Sequence, residues 1–187
     1  MRLSPQRKPR PPLNCERLNE LALAYVGRFA TTRAKLRSYL QRKIRERGWD
    51  GSAPANIDAI GERCAALGYV DDAAYALSKS RSLTGRGYGL RRVEHSLRTA
   101  GVEETDGRAA RELAEADCVD SALRFAKRRR LGPFSSQTGD RKTRERAIAA
   151  MVRAGHGFGL ARAIVDLSPG TEIDIAALSE SNNLTHN

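Results

Sequence analysis

The chain has 187 residues, with 33 Lys and Arg against 22 Asp and Glu, a net charge of +11 and only 5% aromatics. That length suits one or two domains, whose cores must be built from Ala, Leu, Ile and Val rather than from aromatic rings. The charge points to a polyanionic partner, whether nucleic acid, an acidic protein surface or an acidic membrane face, and the absence of any run near about 18 uninterrupted apolar residues excludes a membrane-spanning helix.

The N-terminus, MRLSPQRKPRPPLN, is basic but leads into no long apolar run, so no signal peptide is expected and the predicted location is the cytoplasm. Leu18, Leu21, Ala22, Tyr25, Val26 and Phe29 then recur at helical spacing behind a capping Asn14. Thr31 and Thr32 break that helix and cap a second, with Leu36, Tyr39, Leu40 and Ile44. GWDGSAPAN at 48–56 is a loop by composition. Asn56 opens a third helix through Ile57, Ile60, Cys64 and Leu67, which closes at Gly68.

The cycle restarts at GYVDDAAYA, residues 68–76. Gly68 can take the left-handed conformation that ends a helix, Asp71 can cap the next, and Asp72 falls in its first turn. This fourth helix carries Tyr75, Ala76 and Leu83 and is interrupted by GRGYG at 85–89. Leu90, Val93, Leu97 and Ala100 line a fifth, ending at Gly101, and Thr105 opens a sixth with Ala109, Ala110 and Leu113 on its apolar face. A third cycle starts near Asp117 with Val119, Ala122, Leu123 and Ala126, passes the loop LGPFSSQTGD, and continues through Ile148, Met151 and Val152 to Gly155. The ninth segment is FGLARAIVDL, residues 158–167.

Tyr25, Tyr75 and Phe125 stand 50 residues apart, and Val93, Leu97, Gly101, Ala109 and Leu113 map onto Ala147, Met151, Gly155, Ala163 and Leu167. The expected fold is all-α, three tandem three-helix repeats stacked into an elongated, curved rod. The expected boundaries are a disordered basic arm at 1–13, repeats at 14–70, 71–116 and 117–168, and a disordered tail at 169–187.

Basic residues cluster. Arg28, Arg33, Lys35, Arg37, Arg42, Lys43, Arg45 and Arg47 are opposed within their own stretch only by Glu46, and RFAKRRR at 124–130 is followed by Arg141, Lys142, Arg144 and Arg146. An acidic segment, residues 103–120, lies between. Any one cluster can be a solvated helix face, but the alternation suits a large, patterned partner rather than a small ligand.

Catalytic and cofactor chemistry is not indicated. GRGYG lacks the Gly-Lys-Ser/Thr of a phosphate loop and follows no strand, and GHGFG at 155–159 fails the same tests. Cys15, Cys64 and Cys118 are dispersed, and His95, His156 and His186 supply no complementary metal spacing. His95 reads as a surface histidine, and no nucleophile comes with a base and orienter. No enzyme activity, cofactor or metal is expected.

The corner at 68–76 resembles the Gly-Tyr-Leu-Asp-Asp-x-Arg-Phe-Ala motif of the RecX family of bacterial recombinase regulators. GYGLRRVEHSL at 87–97 is similar to that family's Gly-x-Gly-Pro-x-Arg-Ile-Arg-x-Glu-Leu stretch, and ALAYVGRFATTRAKLRSYL fits its opening segment. Gly68, Tyr69, Asp71, Asp72, Tyr75, Gly87, Gly89 and Arg92 match. Ala74, Leu90, Glu94 and Ser96 depart from the pattern, so the structural corner is kept while part of the charged face has changed.

The resemblance, over residues 18–168, implies a modulator of RecA, expected to be negative, that binds the groove of the RecA–DNA filament; a monomer is expected because the repeats supply each other's packing surface. It implies restraint of ATP hydrolysis, strand exchange and co-protease activity, with DNA met directly or through the filament. The contact residues expected are Arg28, Arg33, Lys35, Arg37, Arg42, Lys43, Arg91, Arg92, Lys127, Arg128, Arg129, Arg130 and Arg144. Two other readings stay open: a free-standing nucleic-acid binder using Arg33, Arg37, Arg42 and Arg128–Arg130, and a scaffold for another acidic protein.

Overall fold

A computed structural model describes residues 11–183. Among the described residues the chain is all-α, as expected: ten α-helices and one short 3-10 turn, with a single isolated bridge between Leu13 and Trp49. The chain divides into two compact units at Asp72–Ala73.

In the first unit, α1 (Cys15–Val26), α2 (Arg33–Arg47) and α3 (Ile57–Ala66) begin at the anticipated caps. The Asn14, Thr32 and Asn56 side chains accept hydrogen bonds from the backbone N–H of Arg17, Lys35 and Ala59. Each satisfies one of the helix amides that have no partner inside the helix. Leu18, Ala22, Leu36, Leu40, Ile60, Cys64 and Val70 form the core, joined by Leu13.

Leu13 corrects the expected arm, which included it. Its N–H donates to Gly48 O at 3.0 Å and its carbonyl accepts from Asp50 N at 2.8 Å, while the side chain is fully buried. It stands one residue before the cap and packs in the cluster that holds Leu18, four residues into the helix, which is a hydrophobic staple. Arg47 and Arg17 hold the carbonyls of Pro11 and Pro12. The rest of the arm lies outside the described residues. Phe29 is a second correction: α1 stops at Val26, and Phe29, beyond it, is 57% exposed instead of joining the apolar face.

The helix α4 (Asp72–Gly85) opens at the unit boundary, and the second unit continues with α5 (Leu90–Thr99), α6 (Glu104–Ala116), α7 (Cys118–Arg129), a 3-10 turn at Gly132–Phe134, α8 (Arg141–Arg153), α9 (Phe158–Asp166) and α10 (Ile175–Asn183). One cluster, with Ala76, Leu83, Val93, Leu97, Ala110 and Ala114, is supplied by α4–α6. Ala109 is exposed, so α6 turns Ala110 and Ala114 inward instead. A second cluster, with Ala122, Phe125, Met151, Leu160, Ala161 and Ile164, is supplied by α7–α9. Tyr88 packs against both.

The expected disordered tail is corrected by α10. Asp174 Oδ1 accepts from the N–H of Ala176 and Ala177, and Leu178 is buried in the α7–α9 core. The carboxylate caps this polar helix and Leu178 packs it against the core. Residues 184–187 lie outside the described residues.

Candidate functional site

In the first unit the basic stretch along α2 is not as unopposed as its sequence reads. Arg33, the first residue of α2, places its backbone N–H 3.0 Å from Asp72 Oδ1, its Nε 3.5 Å from Asp72 Oδ2 and its Nη1 3.7 Å from Glu62 Oε1. The Asp72 side chain is only 3% exposed. It therefore fixes the α2 N-terminus, a role beyond the first-turn carboxylate anticipated. Arg37 pairs with Asp58 at 3.2 Å, and Arg42 and Lys43 share Glu46. Arg28 is exposed past the end of α1, and Lys35 is half-buried in the first turn of α2.

Arg42 and Lys43 also lie 5.6 and 5.8 Å from the Tyr39 ring, within cation–π range. Tyr39 stacks on Tyr25 at 4.2 Å and 14°, and Tyr25 meets Phe29 at 5.3 Å. At the corner itself, Gly68 has φ +73°, Tyr69 is exposed and Val70 is buried.

The second unit is built differently. The loop 85–89 is held by backbone on two sides. Gly87 has φ +79°, and a Cβ there would stand 2.8 Å from Phe125 N. Gly89 N donates to Ala154 O at 3.0 Å and Arg91 N to Gly155 O at 3.2 Å. A Cβ on Gly89 would fall 2.4 Å from Gly155 O, so the two glycine-rich loops that resemble phosphate loops in sequence instead lock onto each other. Buried His156 completes the lock, its Nε2–H donating to Gly87 O at 3.1 Å. Burial pushes its pKa down to about 4, an effect the bond to Gly87 partly opposes.

That lock sets Arg86 and Tyr88 on either side of Gly87. The guanidinium carbons of Arg86, Arg92 and Arg128 lie 5.6, 5.8 and 5.9 Å from the Tyr88 ring centroid. Arg86 Nε donates to Ser82 O at 3.1 Å, and Arg128 Nη1 donates to the Arg86 carbonyl. The structure thus brings two anticipated residues, Arg92 and Arg128, together with one that was missed, Arg86. Its signal was present in GRGYG, an arginine and a tyrosine flanking a glycine.

Lys127, Arg129, Arg130 and Arg91 are exposed. Arg130 ends α7 in the left-handed conformation, φ 54°, the one non-glycine residue with positive φ among those described. Arg144 is engaged by Asp166 at 2.9 Å, and Arg124 by Asp117 at 2.9 Å, a bond that raises the arginine's already high pKa. A cavity of about 420 Å³ lies beside the Arg144–Asp166 pair, walled by Arg130, Thr143, Arg144, Asp166 and the apolar Leu131 and Val165. Among the described residues no group of three or more His, Cys, Asp or Glu could hold a metal ion, and no helix is long and apolar enough to cross a membrane.

No protein-family model matches the chain. Among curated proteins, the regulatory protein RecX of Myxococcus xanthus is 34% identical over 160 residues, covering 81% of this chain and 86% of that relative. The chain belongs to the RecX family of regulatory proteins. The RecX of Agrobacterium fabrum is 29% identical over 158 residues, covering 82% of this chain and 84% of that relative. The crystal structure of RecX from Lactobacillus salivarius superposes with a TM-score of 0.58 at 18% identity, covering 81% of this chain and 94% of that one. At that identity the likeness is one of fold. In this RecX-family chain the matched corner residues Gly68 and Asp72 form a helix stop and a buried acceptor, and the matched Gly87 and Gly89 form the loop lock.

Proposed function

We propose that this chain regulates the RecA recombinase by binding in the groove of the RecA–DNA filament, and that it lowers ATP hydrolysis, strand exchange and co-protease activity. The observation that carries the reading is family membership: 34% identity to a regulatory protein RecX over 81% of the chain. In support, each unit presents cations that a polyanionic filament would attract, Arg28 and the Arg42–Lys43 pair in the first, Lys127–Arg130 with Arg91 and Arg92 in the second. In this proposal the protein is a cytoplasmic monomer of tandem helical units that works in recombination, DNA repair and the SOS response, without cofactor or catalysis.

The test is RecA's single-strand-DNA-dependent ATP hydrolysis, with preformed filaments, DNA in excess and this protein titrated in. Inhibition far below the RecA concentration is expected, since sequestration of DNA cannot act at that ratio. Unchanged hydrolysis alongside tight, salt-sensitive binding to bare DNA would replace this reading with that of a free-standing nucleic-acid binder. The unpaired arginines around Tyr88 are the observation that favours that second reading.

A further inference from the structure

The second unit neutralises its arginines where acids are in reach: Arg111 with Glu104, Arg124 with Asp117, Arg141 with Glu145, and Arg144 and Arg162 with Asp166. Arg86, Arg92 and Arg128 are set apart by gathering on one ring. They lie within 6 Å of it, Arg128 also 5.5 Å from Phe125, and none of the three makes an ion pair among the described residues. Like charges so close repel, and the faces of Tyr88 and Phe125 offset only part of that. The cluster is also held in place, because two of its heads bond backbone carbonyls and the loop beneath is locked by Gly87, Gly89 and His156.

We infer that Arg86, Arg92 and Arg128, arrayed on Tyr88, form a phosphodiester-binding site that takes a backbone phosphate of a nucleic-acid strand. The inference deepens the polyanion reading above and rests on it. The surrounding charge favours a strand over a lone acidic side chain. Exposed Arg91, Lys127, Arg129 and Arg130 extend the positive charge beyond the ring, and a strand carrying a charge at every nucleotide can meet them in succession.

The test is fluorescence anisotropy of a labelled oligo-dT strand across a salt series. The triple variant R86Q/R92Q/R128Q is compared with R98Q/R108Q/R153Q, which removes the same charge from exposed positions elsewhere in the unit. The first should weaken binding at least tenfold beyond the second and flatten the log–log salt slope by about 0.7 for each phosphate no longer neutralised. Tyr88→Leu, which keeps every charge, should lose affinity a few-fold, and Tyr88→Phe, which keeps the ring, should bind like the parent. Circular dichroism confirms that each variant is folded.

Equal losses in the two triple variants would overturn the site, because net charge alone would then hold the strand. Polyglutamate binding that R86Q/R92Q/R128Q abolishes, with oligo-dT binding unaffected, would also overturn it and assign the cluster to an acidic polypeptide. The two readings fail separately. Inhibition of RecA by the parent protein judges the regulator, and oligo-dT binding by the variants judges the site.

Discussion

Acid should loosen this protein through His156. The imidazole is 2% exposed and carries a pKa of about 4 in the fold, lowered chiefly by burial, whereas in the unfolded chain it titrates near 6.5. Between those values the unfolded state holds a proton that the folded state does not. Stability is therefore full above about pH 6.5, falls as the pH drops below it, and levels off below about 4. At about 1.4 kcal/mol per unit the whole interval is worth about 3 kcal/mol, of which about 2 kcal/mol is lost between pH 7 and pH 5. Urea unfolding at those two pH values reads the loss directly, with His156→Gln as the reference. Glutamine can still donate to Gly87 O but does not titrate. Arg91, Glu115 and Cys118, which line the small cavity beside His156, and exposed His95 are the same in both proteins and drop out of the difference. Parallel losses in parent and variant would refute the reasoning.

Three further outcomes follow from the geometry. Asp72→Ala leaves the part-buried N–H of Arg33 without its acceptor and should cost about 1–3 kcal/mol in chemical denaturation, with Asp72→Asn recovering part of it. Gly89→Ala drives a methyl group into the backbone at Gly155 and should cost about 3 kcal/mol, whereas Gly85→Ala, whose Cβ meets nothing within 4 Å inside a helix, should be neutral or stabilising by up to about 1 kcal/mol; paired thermal melts compare them. Arg130→Gly relieves the left-handed strain at the end of α7 and should raise stability by up to about 1 kcal/mol while removing one cation, separating fold stability from oligo-dT affinity in a single protein.

Helix positions and caps were legible because they are local. Asn14, Thr32 and Asn56 sit where periodicity begins, and each caps its helix as expected. The staple at Leu13 was written in the sequence too, as an apolar residue on each side of Asn14 at the right distance, but the surrounding Pro and Arg made it look like part of an arm. The helix α10 hid for the opposite reason: its composition is polar, and Leu178 is its one buried residue among those described. The charged surfaces were legible only by count. Along α2 the nearby sequence supplies one acid, Glu46, yet Asp58, Glu62 and Asp72 arrive from α3 and the corner to pair with Arg37 and Arg33. Around Tyr88 the converse holds. Residues 86, 92 and 128 converge through a loop contact that no helical period encodes.

The loop lock also shapes how the second unit comes together in time. Gly87 and His156 are 69 residues apart, so their bond closes a long span and gains nothing until the helices on both sides have collapsed. The amides of Gly89, in the loop, and Arg91, in the first turn of α5, have no acceptor inside a helix, and exchange with solvent would ordinarily be fast, yet their acceptors are Ala154 and Gly155. They should exchange only when most of the unit opens, making these two amides the reporters of its global cooperativity.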